Sequence, residues 1–271
     1  VIALIDMDSL VYRAFPGRRA GIDGDTIIAT DGVGGIRPME FTHTEDMEYI
    51  RGAWENFSRM VKDIQVFTFS DSMKGAVGGK DNFRDQLFPD YKKSRRTQAK
   101  SLQRDLVRTV TGMAVEQGIA TPAHGREADD LIRIWAEECR AAGEEFIVCS
   151  IDKDLQCIPG THCLLHNPRA LVIKEVSEMQ AIRHYYTQLI SGDAGDDIPG
   201  VAGFGPIKSN GVISRCFNEP SMRRAVIRTY QGVYGEEWYA KLRLYGSLIH
   251  IQRTFDDVFE PMDWDETEDF L

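Results

Sequence analysis

Absences bound this sequence before any motif does. No apolar run approaches the roughly 20 residues of a membrane-crossing helix, so no membrane partner is expected. The opening VIALID has neither the basic flank nor the small-residue cleavage site of a signal peptide, which gives the expectation of a soluble, cytoplasmic protein. The five cysteines, Cys139, Cys149, Cys157, Cys163 and Cys216, are odd in number and form no CxxC pair. Free, mostly buried thiols in a reducing compartment are the simplest reading. Internal repeats and low-complexity tracts are lacking too. Positive charge is scarce, with a net charge of −10, which argues against a uniformly basic nucleic-acid surface. The scarcity is uneven. Between Tyr91 and Arg108, Lys92, Lys93, Arg95, Arg96, Lys100, Arg104 and Arg108 face one acid, Asp105, whereas Asp256 to Leu271 holds eight acids and no base. A local cationic surface on an acidic protein is therefore open, and the acidic end reads as a frayed, solubilising tail.

What is present alternates between two periods. Val1 to Ile5 reads as a buried strand, Gly17 to Pro38 as a loop or irregular hairpin, and Ile50, Trp54, Phe57 and Val61 mark a helix over Met47 to Ile64. That helix is expected to lead into a strand VFTFS, with SMKGAVGGK a surface loop after it. Leu102, Leu106, Val110 and Met113 form a helical stripe, and Glu127 opens another helix that Gly143 ends. FIVCSID and HCLLHN read as further strands. Such alternation predicts an α/β fold with a largely parallel sheet flanked by helices. At 271 residues one large domain with an appended module is expected. From Tyr185 the pattern changes to helices broken by glycine turns, so we place boundaries to give units 1–184, 185–235 and 236–271.

Carboxylates then gather after the strands. Asp6 with Asp8, then Asp71, then Glu127 with Asp129 and Asp130, then Asp152 with Asp154, make four clusters, and Asp193 and Asp196 follow in a glycine-rich segment. Any one alone is better read as a turn or cap residue, since an Asp after a strand accepts local backbone N–H groups. Jointly they exceed that reading. VIALID, VFTFSD and FIVCSID each end in an acid, and the carboxyl ends of parallel strands share one edge. An acidic pocket there needs neutralising, and hard divalent cations take all-oxygen ligands. Within Gly192 to Ser209, GVAGFGPIKS has the form of a helix–hairpin–helix whose glycine turn frees backbone N–H groups for a phosphate. A zinc site from Cys157, His162, Cys163 and His166 has suitable ligand types but no recognised spacing, and buried strand residues account better for HCLLH. The aromatic tract from Tyr230 to Tyr245 has helical spacing and reads as core.

In order and spacing, ALIDMDSLVYRAF, FSDS, FRDQLFPDYKKSRR, EADD, SIDKDLQ and SGDAGDDIPGVAGFG resemble the 5′ nucleases of the flap endonuclease superfamily, most closely the phage-encoded 5′–3′ exonucleases, over residues 1 to 210. The resemblance implies a PIN-like 5′ nuclease core with a helical arch over 83–113 and a C-terminal helix–hairpin–helix (H3TH) module. It implies two or more Mg²⁺ or Mn²⁺ ions. Asp6, Asp71, Glu127 and Asp129 fall on the positions of one, with Asp130 close by, and Asp152, Asp154, Asp193 and Asp196 on those of the second. Lys92 and Arg95 match cations at the arch foot that meet the scissile phosphate, flanked by Tyr91, Lys93 and Arg96. Phe83 and Arg84 match a pair just before them, and Tyr12 and Arg13 a segment lining the site. Gly203 and Gly205 match the duplex-gripping hairpin, where a monovalent ion is also implied; the usual Lys after it is displaced, with Ile207 in its slot and Lys208 next to add charge. Met7, Asp8, Asp197 and Ile207 depart from the family pattern. The implied activity is hydrolysis of DNA near 5′ ends or flaps by a monomer in phage DNA replication or degradation, with RNA–DNA hybrids as a further substrate. The alternatives are a related PIN-like ribonuclease and a non-catalytic structure-specific DNA-binding protein.

Overall fold

The computed structural model describes residues 1–15, 22–23, 26–30, 36–39, 43–98, 102–166 and 170–261, with the side chains of 22–46 and 96–104 outside the description. Its elements, in chain order, are β1 (Ile2–Asp6), α1 (Met7–Ala14), β2 (Ile22–Asp23), β3 (Thr26–Thr30), β4 (Ile36–Met39), α2 (His43–Thr68), β5 (Ser72–Gly78), α3 (Phe83–Leu87), α4 (Lys93–Gln98), α5 (Leu102–Glu116), β6 (Thr121–Ala123), α6 (Ala128–Ala142), β7 (Phe146–Ser150), β8 (Gly160–Leu164), β9 (Val172–Val176), α7 (Glu178–Ser191), α8 (Pro206–Ile213), α9 (Glu219–Tyr234) and α10 (Trp238–Ile249). A 3-10 turn, Asp154–Cys157, follows β7.

Six strands form one sheet in the order β6-β5-β1-β7-β8-β9, parallel throughout except for β9 against β8. β1 is buried on both faces through Ala3, Leu4 and Ile5, as a central parallel strand must be. It pairs β5 on one side and β7 on the other, so the chain winds away in both directions from its carboxyl end. Such a switch point opens a crevice. β2, β3 and β4 form a separate antiparallel sheet in the stretch expected to be an irregular hairpin.

Two expectations fail on the strand after α2. The helix runs on through Val66–Thr68, and the strand is Ser72–Gly78, the segment expected to be a loop. The buried part of β5 is Gly75, Ala76 and Val77, which gives little hydrophobic periodicity. Smallness is what the packing needs, because a Cβ on Gly75 would lie 2.4 Å from Met7 Cε and 2.7 Å from the Ile119 carbonyl.

The boundary expected at 184/185 falls inside α7, an unbroken helix, and α10 is not a separate segment. Tyr186, Leu189, Ile213, Val226, Tyr230, Leu242, Tyr245 and Leu248 share one apolar cluster, so α7 to α10 make one unit. Tyr230 and Tyr245 are thus core, as their spacing predicted. In the 83–113 region, Leu106, Val107 and Val110 of α5 pack into the main core beside Phe57 and Val61 of α2.

Candidate functional site

The carboxyl edge of the sheet gathers acids from four places. Asp6 ends β1 and caps α1, accepting from the Asp8 N–H at 3.2 Å. Ser150, at the end of β7, donates to Asp6 Oδ2 at 2.9 Å and accepts from the Asp152 N–H at 2.8 Å, which binds the two strand ends together. Asp152 Oδ1 accepts from the Asp154 N–H at 2.9 Å, and Gln188 of α7 donates to Asp154 Oδ1 at 2.6 Å. Glu127 caps α6, and Asp129 lies in its first turn. Asp193 and Asp196 arrive on the glycine segment after α7.

Crowding of like charge sets the electrostatics. Burial, then Asp152, Asp6 and Glu127, push the Asp129 carboxyl well above the usual range. Burial raises Asp6 as well, with Asp152 adding to it. Burial and the Asp6 charge bring Asp8 to about 6, and burial with Asp152 and Asp193 brings Asp154 to about 7. Lys92 and Arg84 outweigh burial at Glu127 and hold it below the usual range.

Cations close one wall. Lys92 Nζ lies 2.5 Å from Glu127 Oε1 and 3.5 Å from Asp196 Oδ2, and Arg95 lies 2.8 Å from Asp196 Oδ1 as a charge contact. Lys92 adopts a left-handed φ of 51°, and its N–H donates to the Asp196 carbonyl at 3.0 Å. Asp197, one of the departures from the family pattern, also has positive φ, at 58°, a conformation that Asp tolerates better than most residues. Its Oδ2 accepts from the N–H and hydroxyl of Ser94 at 2.8 and 2.7 Å. The segment closes on itself where a side chain would collide: a Cβ on Gly192 or Gly200 would come within 2.3 Å of backbone across the turn.

Several residues assigned to the site stand elsewhere. Asp71 precedes β5, at the opposite edge of the sheet, and is 87 % exposed in a 2.8 Å ion pair with the Val1 amino group. It is not part of the pocket, because the shift of the strand to Ser72–Gly78 moves it from a carboxyl end to an amino end. Asp130 is no open metal ligand either. It is fully buried, and Arg84 grips both its oxygens at 2.6 and 2.8 Å. Arg84 correspondingly cannot meet DNA: it is 2 % exposed and also donates to the Leu248 and His250 carbonyls at 3.0 and 2.6 Å. Tyr91 is buried in the second apolar cluster, its hydroxyl donating to Glu127 Oε2 at 2.9 Å, so it braces the pocket. Arg13 donates to the Leu165 and His166 carbonyls, while Tyr12 is 42 % exposed. Lys93 is exposed beside Asp90 at 2.8 Å. The Arg96 side chain lies outside the described residues. His162 is buried against the Ile158 carbonyl, in keeping with the reading of HCLLH as strand rather than zinc site.

The hairpin matches its assigned shape. Gly203 has φ of 78°, and Gly205 is the N-cap of α8 with no capping side chain, leaving that helix start open. Lys208 sits 3.8 Å from the centre of the Phe204 ring and donates to the Gly203 carbonyl at 3.3 Å.

Three contributors were missed as site residues. Asp8 occupies the side toward β5, accepting from the Gly78 N–H at 2.8 Å, and the D-x-D spacing of Asp6 and Asp8 was its signal. Ser150 and Gln188 position acids, and neither has a sequence signal beyond nearness to one. Among the described residues no three acidic, His or Cys side chains close on a single point at metal-ligand geometry. The donor chemistry nevertheless fits a hard divalent cation: it is all oxygen, Asp129 accepts no hydrogen bond from the described residues, and a cation would offset the burial and the repulsion that raise Asp6, Asp8, Asp129 and Asp154.

Comparison with known proteins follows this geometry. A family model described as 5′-3′ exonuclease, N-terminal resolvase-like domain, matches residues 1–186. The chain is similar to the flap endonuclease Xni of Shewanella sediminis, 32% identical over 133 residues, which are 46% of this chain and 51% of that protein. It is also similar to the flap endonuclease Xni of Pectobacterium carotovorum, 26% identical over 180 residues, 64% of this chain and 66% of that one. The chain spans about half the length of the first curated relatives it matches. Its fold resembles that of the bacteriophage T5 D15 protein co-crystallized with metal ions, with a TM-score of 0.58 at 13% identity over 90% of this chain and 88% of that one. A complex of the T5 D15 flap endonuclease with DNA and metal ions gives a TM-score of 0.52 at 13% identity, covering 92% and 97%.

Proposed function

Because the chain belongs to the 5′-3′ exonuclease family through its N-terminal resolvase-like domain, we propose that it is a divalent-metal-dependent 5′ nuclease that hydrolyses DNA phosphodiesters near 5′ ends and flaps. RNA in RNA–DNA hybrids is a further substrate in this reading. The observation that carries it is the meeting of Asp6, Asp129 and Asp152 with Lys92 at one sheet edge, beside a glycine hairpin with an open helix start. Asp6, Asp8, Asp129 and Asp152 would hold one Mg²⁺ or Mn²⁺, and Asp154 and Asp193 would serve a second. Bound ions would supply charge neutralisation and a more acidic attacking water.

The chain's own residues do the rest. Lys92 is protonated, its ammonium held by Glu127 and Asp196 against the cost of burial, and it presents positive charge where a phosphoryl group gathers negative charge. Arg95 adds a second, more exposed cation. Ser150 fixes the spacing of Asp6 and Asp152, and Tyr91 fixes Glu127. The N–H groups at the start of α8 would grip a duplex phosphate. Phage DNA replication or degradation, in a host cytoplasm and by a monomer, is the setting we assign from the motif order. The test is cleavage of end-labelled duplex, flap and RNA–DNA substrates with Mg²⁺, with Mn²⁺ and with chelator. Hydrolysis undiminished in excess chelator would sink the proposal.

A further inference from the structure

Away from the acid pocket, a cavity of about 280 Å³ opens between β9, the 3-10 turn, α7 and α8. Gln156, Lys174, Gln180, Arg183, His184 and Asn210 supply its polar wall, and none of its eight lining residues is acidic. In a chain with 42 acids against 32 bases, that exclusion runs against composition. Its cations also lack acidic partners. Among the described residues Lys174 Nζ donates to Gln156 Oε1, at 2.5 Å, and Arg183 to the Cys216 carbonyl, at 3.2 Å, and to no carboxylate. Arg183 Nε and His184 Nε2 are buried with no hydrogen-bond partner among the described residues, a state that is unfavourable unless a ligand or water completes it.

The position of the cavity says what the ligand is. Gln156 lies in the 3-10 turn that Asp154 opens, and Thr187 precedes Gln188, which donates to Asp154 Oδ1 at 2.6 Å, and this puts one end of the cavity toward the acid pocket. Asn210 belongs to α8, which puts the other end against the hairpin. Amide and cationic donors with no Phe, Tyr or Trp in the lining suit phosphate oxygens, whereas a single-strand groove would offer such rings for base stacking. We infer that this cavity is a second phosphate-backbone subsite, in which Lys174 and Arg183 hold the duplex arm of the substrate between the hairpin and the acid pocket. The inference rests on the reading of the chain as a nuclease that grips duplex DNA.

Fluorescence anisotropy tests it on the full chain in chelator, where cleavage is stopped, using a labelled duplex with a 5′ overhang and a single-stranded oligonucleotide, each across a salt series. Each phosphate neutralised contributes about 0.9 to the log–log salt slope. The double variant Lys174→Gln, Arg183→Gln should therefore lose about 1.8 of that slope on the duplex and bind it tens of times more weakly at about 0.1 M salt. Lys174→Arg should keep the parental slope, and single-strand affinity should not move in either variant. A duplex slope equal to the parent's in the double variant would overturn the subsite. Lys174→Gln alone, with an expected loss of about 0.9 in slope, carries the test if circular dichroism shows the double variant unfolded. Failure of the underlying reading looks different: the parent itself would then bind duplex no better than single strand.

Discussion

Replacing Arg84 separates a scaffold from a DNA contact. The guanidinium ties the start of α3 to Asp130 in the first turn of α6 and to two carbonyls at the end of α10, those of Leu248 in its last turn and His250 just past it. Arg84→Ala leaves the Asp130 carboxylate buried with only the N–H groups of Glu127 and Gln252 as donors, each at 2.9 Å. Removing one partner of a buried ion pair costs about 3–5 kcal/mol, and the two freed carbonyls add to that. With a urea slope of about 3 kcal/mol/M, the unfolding midpoint should fall by at least about 1 M. Urea titration followed by far-ultraviolet circular dichroism reads this directly. Arg84→Met paired with Asp130→Leu should recover much of the loss, because no charge is then stranded. A midpoint within about 0.2 M of the parent, with duplex affinity clearly reduced, would refute the argument and return Arg84 to the nucleic-acid surface.

The remaining predictions concern the pocket and the hairpin. Asp152→Asn and Asp129→Asn should abolish turnover in Mg²⁺ while leaving the circular dichroism spectrum intact, whereas Asp71→Asn, at the other sheet edge, should keep turnover within about two-fold of the parent; a dead Asp71→Asn enzyme would overturn the placement of β5. Lys92→Ala should slow single-turnover cleavage by about 10²-fold or more while changing duplex affinity little, since its charge is assigned to the transition state, and a rate within a small factor of the parent would make it a surface charge. In the metal-free protein, Asp8 and Asp154 titrate at about 6 and about 7 when folded, above an unfolded value of about 3.9. The folded state then binds more protons between those values, so thermal stability should fall as pH rises from about 4 to 8, and saturating Mg²⁺ should flatten or reverse the slope; a metal-free melting temperature that climbs across that window contradicts the crowded-pocket account. A Cβ at Gly205 meets nothing within 4 Å, so Gly205→Val should fold normally yet weaken binding to substrates with a duplex arm, sparing single strands. Equal losses on both substrates would show that the hairpin is not a separate anchor.

The acids that the sequence displayed were legible wherever a strongly apolar strand announced its own end, as VIALID did for Asp6 and FIVCSID for Asp152. β5 was illegible for the opposite reason. Its inward residues are Gly75, Ala76 and Val77, so the apolar alternation of VFTFS outweighed it, and Asp71 was carried to the wrong edge with that strand. Arg84 and Asp130 show a second limit. A buried, paired charge has the same letters as an exposed, functional one, and only the carbonyls of Leu248 and His250, about 165 residues away in sequence, decide between them. The 184/185 boundary falls within α7, an unbroken helix whose Tyr185 packs against the cluster of Leu4, Leu131 and Val148 as well as against the α7–α10 cluster. The hairpin was readable because its geometry demands glycine, and glycine is visible.

Tyr91 and Lys92 are adjacent in the chain and both reach Glu127, the hydroxyl at one oxygen and the ammonium at the other. The ring of Tyr91 is embedded in the cluster built by α7 to α10, and the ammonium of Lys92 rests on Glu127 at the head of α6. One peptide bond therefore acts as a lever arm between the module that would feel the duplex and the acids that would act on the phosphate. A tilt of α7 to α10 on seating a duplex arm would be transmitted to the Lys92 ammonium with no slack chain to absorb it. Seating and charge placement would then be coupled, so that a badly seated strand would find its cation out of line.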